Sequence, residues 1–124
     1  MILQDVIERM QLKVLTNSSD LNHVHIYQGY VSDMLSCVVA GAPNGCVWVT
    51  LLAHSNIVAV ATLLEIPAII ITEGAQPDET TLAQANEKEI ALLSTLSPSF
   101  EVVGRLWQMG IRANDRIKIG RAHV

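Results

Sequence analysis

The sequence predicts a single compact α/β domain, a mainly parallel sheet with helices on both faces, and three observations lead to that prediction. From residue 46 onward, apolar β-branched runs alternate with helical patterns, and a helix is the crossover that parallel strands need. The run at 68–71 is apolar throughout, which is typical of a parallel strand covered on both faces. The 124 residues, 50% hydrophobic and 16% charged, fit one folded domain and exclude intrinsic disorder.

Hydrophobic periods and turn residues define the individual elements. Apolar residues at i, i+3, i+4 and i+7 from Leu3 predict the first helix, and the alternation of Val24 and Ile26 with histidines predicts a half-buried strand broken by Gly29. The predicted helices are 2–11, 34–40, 55–65, 77–89 and 98–109, and the predicted strands are 12–15, 23–26, 46–51, 68–72 and 90–94. The inward stripe of the last helix comprises Phe100, Val103, Leu106 and Trp107.

Charge and hydropathy exclude two classes of partner. Eight Lys and Arg stand against twelve Asp and Glu, a net charge of −4 with no basic run, so no nucleic-acid partner is predicted. The most apolar stretch, 57–71, is interrupted by Glu65 and Pro67, so no membrane span is predicted. The first residues lack the pattern of a signal peptide, which favours a cytoplasmic protein.

The cysteines and histidines do not predict a metal site or another cofactor. Cys37 and Cys46 lack metal-binding spacing, and we expect buried free thiols with a raised pKa. His23 and His25 would share one face of a strand, but no third ligand lies nearby in the sequence.

Polar residues cluster after the predicted strands, at the edge where open α/β sheets bind ligands. The candidate ligand-binding residues are Ser32, Asp33, Thr50, His54, Ser55, Asn56, Thr72 and Glu73. Ordinary helix caps are an alternative explanation for Asp33, Ser55 and Asn56, and an ordinary loop residue is one for His54. The amino ends of the same strands offer turn residues only, so no site is predicted there.

The sequence lacks GxxxxGK[ST], GxGxxG and GxSxG motifs, so no catalytic residue is predicted and the protein is not expected to be an enzyme.

Several segments, in order and spacing, resemble the DRTGG domain family over roughly residues 2–111. They are 29–36, 48–50, 69–74 with 77–78, and 93–95 with 100–101. The chain departs from the family signature at two places, where Ala53-His54 stands for an Asp-Arg pair and Thr72-Glu73-Gly74 for Thr-Gly-Gly. The resemblance implies kinship with the N-terminal domain of HPr kinase/phosphatase, whose phosphate-binding loop lies in a separate domain.

The resemblance implies a non-catalytic regulatory or sensory domain at 2–111 that forms a homodimer and binds a small anionic or nucleotide-like ligand, or a protein partner. A pure protein-interaction module is the alternative, as is a remnant of an HPr kinase/phosphatase-type serine kinase without its catalytic domain. Residues 112–124 are predicted to be a disordered tail. The last six, 119–124, resemble the translation of a sequencing-adapter DNA and are excluded from the fold.

Overall fold

The computed structural model describes residues 1–18 and 20–113, which form one five-stranded sheet between two layers of helices. The strands are β1 Lys13–Val14, β2 Gly29–Val31, β3 Val47–Thr50, β4 Ala68–Ile71 and β5 Ala91–Ser94. The helices are α1 Leu3–Met10, α2 Leu35–Gly41, α3 Asn56–Leu64, α4 Glu79–Glu87 and α5 Ser99–Gln108, with a 3₁₀ turn at Leu21–His23. The predicted fold class, a mainly parallel sheet with helices on both faces, is confirmed.

The sheet has the order β1-β5-β4-β3-β2, and its strands are parallel except for the β1–β5 pair. The register places Thr50 beside Ile71, and Ile71 beside Ser94. The carboxyl ends of three neighbouring strands therefore lie level. Because the chain advances in one direction from β2 to β5, the connecting helices α2, α3 and α4 all lie on the same face.

Two apolar cores, one on each face, explain why the central strands are apolar throughout. On one face α2, α3 and α4 pack over Trp48, Ile69, Ile71 and Leu92. On the other face α1 and α5 pack over Val47, Val49, Ile70 and Leu93. Every residue of β3, β4 and β5 is buried, as expected when alternate side chains face opposite helical layers.

The predicted strand at 23–26 is wrong. The segment begins in the 3₁₀ turn and then runs extended beside the start of the chain, where Ile26 N–H donates to the Met1 carbonyl at 2.7 Å. Its alternating burial comes from this contact and not from the sheet. Gly29, predicted to break the strand, instead opens β2, because a Cβ at Gly29 would meet Ile111 at 3.3 Å.

The segment His25–Gly29 also holds the far end of the described chain. Arg112 N–H donates to the Tyr27 carbonyl at 3.1 Å, and Gly29 N–H donates to the Arg112 carbonyl at 2.9 Å. The Arg112 guanidinium lies 4.3 Å from the centre of the Trp107 ring. Arg112 therefore packs on the domain, although it was predicted to begin a disordered tail. The rest of that predicted tail, 114–124, lies outside the described residues.

Helix α5 turns a different stripe inward from the predicted one. Val102 and Leu106 are buried, whereas Phe100 is 92% exposed and Trp107 is 52% exposed. Apolar residues at 102 and 103 give the helix two overlapping stripes about 100° apart, and packing on β3 selects the stripe that contains Val102.

Candidate functional site

The candidate site is the edge of the sheet formed by the carboxyl ends of β2, β3 and β4. Thr50 is the last residue of β3 and Thr72 directly follows β4. Thr72 N–H donates to the Thr50 carbonyl at 3.0 Å, which continues the ladder between the two strands by one bond. Both threonines are buried, so their side chains are fixed by packing as well as by hydrogen bonds.

Asp33 connects the loop after β2 to the loop after β3. Its Oδ1 accepts from the Thr50 hydroxyl at 2.8 Å and from Leu51 N–H at 2.9 Å. The Thr50 Oγ1 in turn accepts from Leu52 N–H at 3.1 Å. Because Asp33 makes these bonds and Met34 occupies the N-cap of α2, the helix-cap explanation of Asp33 is wrong.

A second set of hydrogen bonds connects the end of β4 to the start of α5. Thr72 Oγ1 and Ser99 Oγ lie 2.6 Å apart, and the Ser99 hydroxyl donates to Glu73 Oε2 at 3.3 Å. Glu73 N–H donates to the Ser97 carbonyl at 3.0 Å. We call the residues Asp33, Thr50, Thr72, Glu73 and Ser99 the polar chain; it crosses three strands and reaches a helix.

The other four predicted residues flank the polar chain without hydrogen-bonding to it. The Ser32 hydroxyl accepts from Met34 N–H at 3.1 Å, and its carbonyl accepts from the Trp48 indole N–H at 3.0 Å. Ser55 occupies the N-cap position of α3 but makes no side-chain capping bond, and Asn56 is the first residue of that helix. His54 precedes them and is exposed, as a group available to a ligand must be.

Ser99 was missed from the sequence, although it links Thr72 to Glu73. Its position as the first residue of α5 looks like an ordinary helix start. What brings it to β4, one strand away from β5, is the path of the connecting loop across the sheet edge, and no local pattern encodes that path. Gly74 N–H, for example, donates to the Thr95 carbonyl at 3.1 Å.

The turn after β4 has an unusual backbone. Glu73 and Gly74 both have a left-handed conformation, with φ of 59° and 75°. Glycine adopts this conformation without steric cost, whereas a glutamate there is strained. The strained Glu73 stands at the second position of the triplet that is Thr-Gly-Gly in the family signature, so its bonds to Ser99 offset an unfavourable backbone.

The edge carries carboxylates and, one strand further out, a cation. Asp33 and Glu73 belong to the polar chain, and each uses one carboxylate oxygen in the bonds above. Lys13 stands opposite Ser94 in the β1–β5 register, and is exposed. A ligand that lies across this edge would meet acceptors at β2 and β4 and a positive charge at β1.

The two thiols differ from each other. Cys46 is buried as predicted, and burial raises the pKa of its thiol to about 12. Cys37 is exposed on α2, so the prediction that it is buried is wrong. It lies on the outer side of a helix whose inner side is held by Val38. The histidine pair is not on a strand, and residues 1–18 and 20–113 contain no group of three or more His, Cys, Asp or Glu placed to hold a metal ion.

The opposite edge of the sheet is less plain than predicted. A cavity of about 510 Å³ lies at the amino ends of β4 and β5, between Pro67 and Glu89. Its wall includes Asn17 and Asn86, and Asn17 N–H donates to Asn86 Oδ1 at 2.7 Å. The polar lining comes from the loop after β1, a region the sequence did not place beside these strands.

The order, layers and register define a three-layer α/β domain with a polar carboxyl edge. More particularly, the chain belongs to the DRTGG domain family, which matches residues 5–109. Its fold is similar to a crystal structure of the CBS and DRTGG domains of the regulatory region of Clostridium perfringens pyrophosphatase, complexed with its activator, diadenosine tetraphosphate. The TM-score is 0.67 at 16% identity, and the match covers 82% of this chain and 44% of that one.

Two further comparisons are brief. No curated protein matches the chain. Among the described residues, no helix is long and apolar enough to cross a membrane.

Proposed function

We propose that this chain is a non-catalytic regulatory domain that pairs with itself and binds a small nucleotide-like ligand at the carboxyl edge of its sheet. The polar chain is the observation that carries the proposal. It gathers side chains from three loops and one helix into a single fixed surface, and buried hydrogen-bonded groups of this kind orient a ligand.

The chemistry of the edge favours a ligand with both hydroxyl and phosphate groups. The second carboxylate oxygens of Asp33 and Glu73 suit donors such as ribose hydroxyls or an exocyclic amine. A phosphate would be repelled by those carboxylates and would be directed to the start of α3, where His54, Ser55 and the helix N–H groups lie. A nucleotide combines these two kinds of group in one molecule.

The structural neighbour supports the same class of ligand. The C. perfringens region is regulatory and was crystallised with a dinucleoside polyphosphate activator. That protein carries CBS domains as well, so the similarity supports the regulatory role more strongly than it supports any particular ligand position.

Thermal unfolding with a small set of ligands tests the proposal. We expect adenosine, AMP, ATP and diadenosine tetraphosphate at 1 mM to include at least one that raises the Tm, because a ligand that binds only the folded state stabilises it by mass action. Inorganic phosphate serves as the control for a bare anion. If none of these compounds raises the Tm, the nucleotide part of the proposal is wrong.

The variant His54→Ala locates the site. Its side chain is exposed, so we expect the Tm of the free protein to change little while the Kd for the stabilising ligand rises about tenfold, as loss of one charged hydrogen bond would give. His23→Ala removes an equally exposed imidazole far from the edge and is the matched control. An equal effect of both substitutions on Kd would contradict a site at α3.

A protein-interaction surface is the second candidate for this edge. Leu96 and Phe100 project beside the polar chain with 86% and 92% of their surfaces exposed. Large apolar side chains that face water in this way are typical of protein contacts. This candidate predicts no Tm change with any of the nucleotides above.

A further inference from the structure

Two neighbouring helices lack the polar outer face that a surface helix requires. The sequence contains no Asp, Glu, Lys or Arg between Asp33 and Glu65, a stretch that includes all of α2 and α3. The helices α1, α4 and α5 each carry charged residues. A helix that is uncharged all round is normally covered on all sides.

The outer side of this pair is nevertheless open to water in the single chain. The two helices pack side by side over the same face of the sheet. Their exposed residues include Met34, Cys37, Val39, Ala40, Ala59 and Leu63. Of these, Leu63 is the most exposed of the large side chains, at 71%. We call this surface the α2–α3 face.

The polar groups on this face are largely satisfied within their own helix. The Thr62 hydroxyl donates to the Val58 carbonyl at 2.8 Å, so Thr62 presents its methyl group outward. The Cys37 thiol lies 3.6 Å from the Met34 sulfur. Polar residues stand at the rim instead, where Asn44 Nδ2 donates to Glu65 Oε2 at 3.4 Å. An apolar centre with a polar rim is the usual anatomy of a protein interface.

We infer that the α2–α3 face is where a second copy of this chain docks, helix pair against helix pair, across a two-fold axis. This inference rests on the self-pairing in the proposed function and names its interface.

Charge selects a second copy as the occupant. The chain has a net charge of −4, and its other helices carry carboxylates, so two copies that met through those helices would oppose like charges. The α2–α3 face meets itself without any charge to oppose. An isologous contact needs such a self-compatible patch. A membrane surface fits poorly, because the face has no Lys or Arg to attract lipid headgroups.

The size of the face sets the expected strength of the dimer. The helices have 7 and 9 residues, and only their outer halves are available. A standard interface uses about 20–30 residues a side, so this contact is small and a Kd of roughly micromolar order is expected.

The test combines light scattering with thiol reactivity at about 1 to 200 µM protein, a range that brackets such a Kd. We expect the mass to rise from 13.5 kDa towards twice that value with concentration. Cys37 is the exposed thiol on the face and Cys46 is 0% exposed, so a disulfide reagent reports on α2. Its rate of reaction with Cys37 should fall about tenfold as the dimer forms.

The variant Leu63→Glu should stay monomeric throughout and keep Cys37 reactive, with an unchanged Tm because the side chain it replaces is exposed. Leu96→Glu adds the same charge at the carboxyl edge and should still form the dimer. Val39→Lys, which places a charge on α2, repeats the test if Leu63→Glu does not fold.

The outcomes separate this inference from the one beneath it. A monomer at every concentration contradicts both the self-pairing and the interface, including the case in which the face instead binds phosphatidylcholine vesicles. A dimer that forms equally well with Leu63→Glu, with a constant Cys37 rate, contradicts only the α2–α3 interface and leaves self-pairing intact.

Discussion

Asp33 stabilises a strand end that is distant from it in the sequence. Its carboxylate accepts two hydrogen bonds from residues 50 and 51, one of them from a buried hydroxyl. A buried hydroxyl that loses its acceptor costs more free energy than an exposed one, since water cannot replace the partner.

The substitution Asp33→Ala should therefore lower the free energy of unfolding by about 2 kcal/mol. Asp20→Ala is the matched control: Asp20 bonds to His23 at 2.9 Å on the surface, where such a pair contributes about 0–1 kcal/mol. Urea unfolding followed by tryptophan fluorescence measures both. Equal losses in the two variants would show that the bonds to residues 50 and 51 add little.

Cys46 should make stability depend on pH in the alkaline range. Its thiol has a pKa of about 12 in the folded chain against an ordinary 9.0, so the folded state favours the neutral thiol. The stabilisation is complete below pH 9 and is lost as the pH rises towards 12.

At a pH near 10.5 we expect a loss of about 2 kcal/mol from this group, from the free-energy equivalent of each pKa unit. Urea unfolding at pH 8 and near 10.5 measures the loss, and Cys46→Ala corrects for the tyrosines and lysines that titrate in the same range. If the parent chain and the variant lose stability equally, Cys46 is not the cause.

At the scale of elements, two glycines have opposite roles. Gly104 lies within α5 with open space where a Cβ would stand, whereas Gly74 has a φ of 75° and faces Leu96 at 3.4 Å. Alanine suits the first environment and is strained in the second.

We expect Gly104→Ala to raise the free energy of unfolding by about 0.5–1 kcal/mol and Gly74→Ala to lower it by about 1–2 kcal/mol. Thermal and urea unfolding of the two variants measure the difference. Changes of the same sign would contradict the contrast between helix and turn.

The elements that the sequence predicts well are those with a long apolar run between turn residues. Strands β3, β4 and β5 and helices α3 and α5 lie within a residue or two of their predicted bounds. The 23–26 segment fails because an extended chain beside the first residues has the same alternation as a strand in a sheet. A period of two reports one buried side, and it does not report what covers that side.

The same distinction applies to the polar chain. Asp33, Thr50, Thr72 and Glu73 are predictable, since the carboxyl ends of parallel strands lie together once the fold class is known. Ser99 and the cavity near Asn17 are not predictable in this way, because both depend on where a loop crosses the sheet.

For the whole molecule, we expect no transfer of phosphate from ATP to an acceptor protein. The sequence contains no phosphate-binding loop motif, and the polar chain carries carboxylates where a kinase needs cations. Incubation with γ-labelled ATP and candidate acceptor proteins measures this. Stoichiometric incorporation that depends on this protein would make the non-catalytic assignment wrong.

The segment His25–Gly29 has a consequence for how the polypeptide could be reconnected. Ile2 pairs with His25 on one side of it, and Arg112 pairs with Gln28 on the other, so these residues lie roughly 15 Å apart at ordinary strand spacings. A linker of about six residues spans that distance. A circular permutant joined there and opened at the exposed Asn44-Gly45 turn would keep both helical layers, with its new ends at the amino edge of the sheet. The packing of this domain therefore does not depend on the order in which its halves are synthesised.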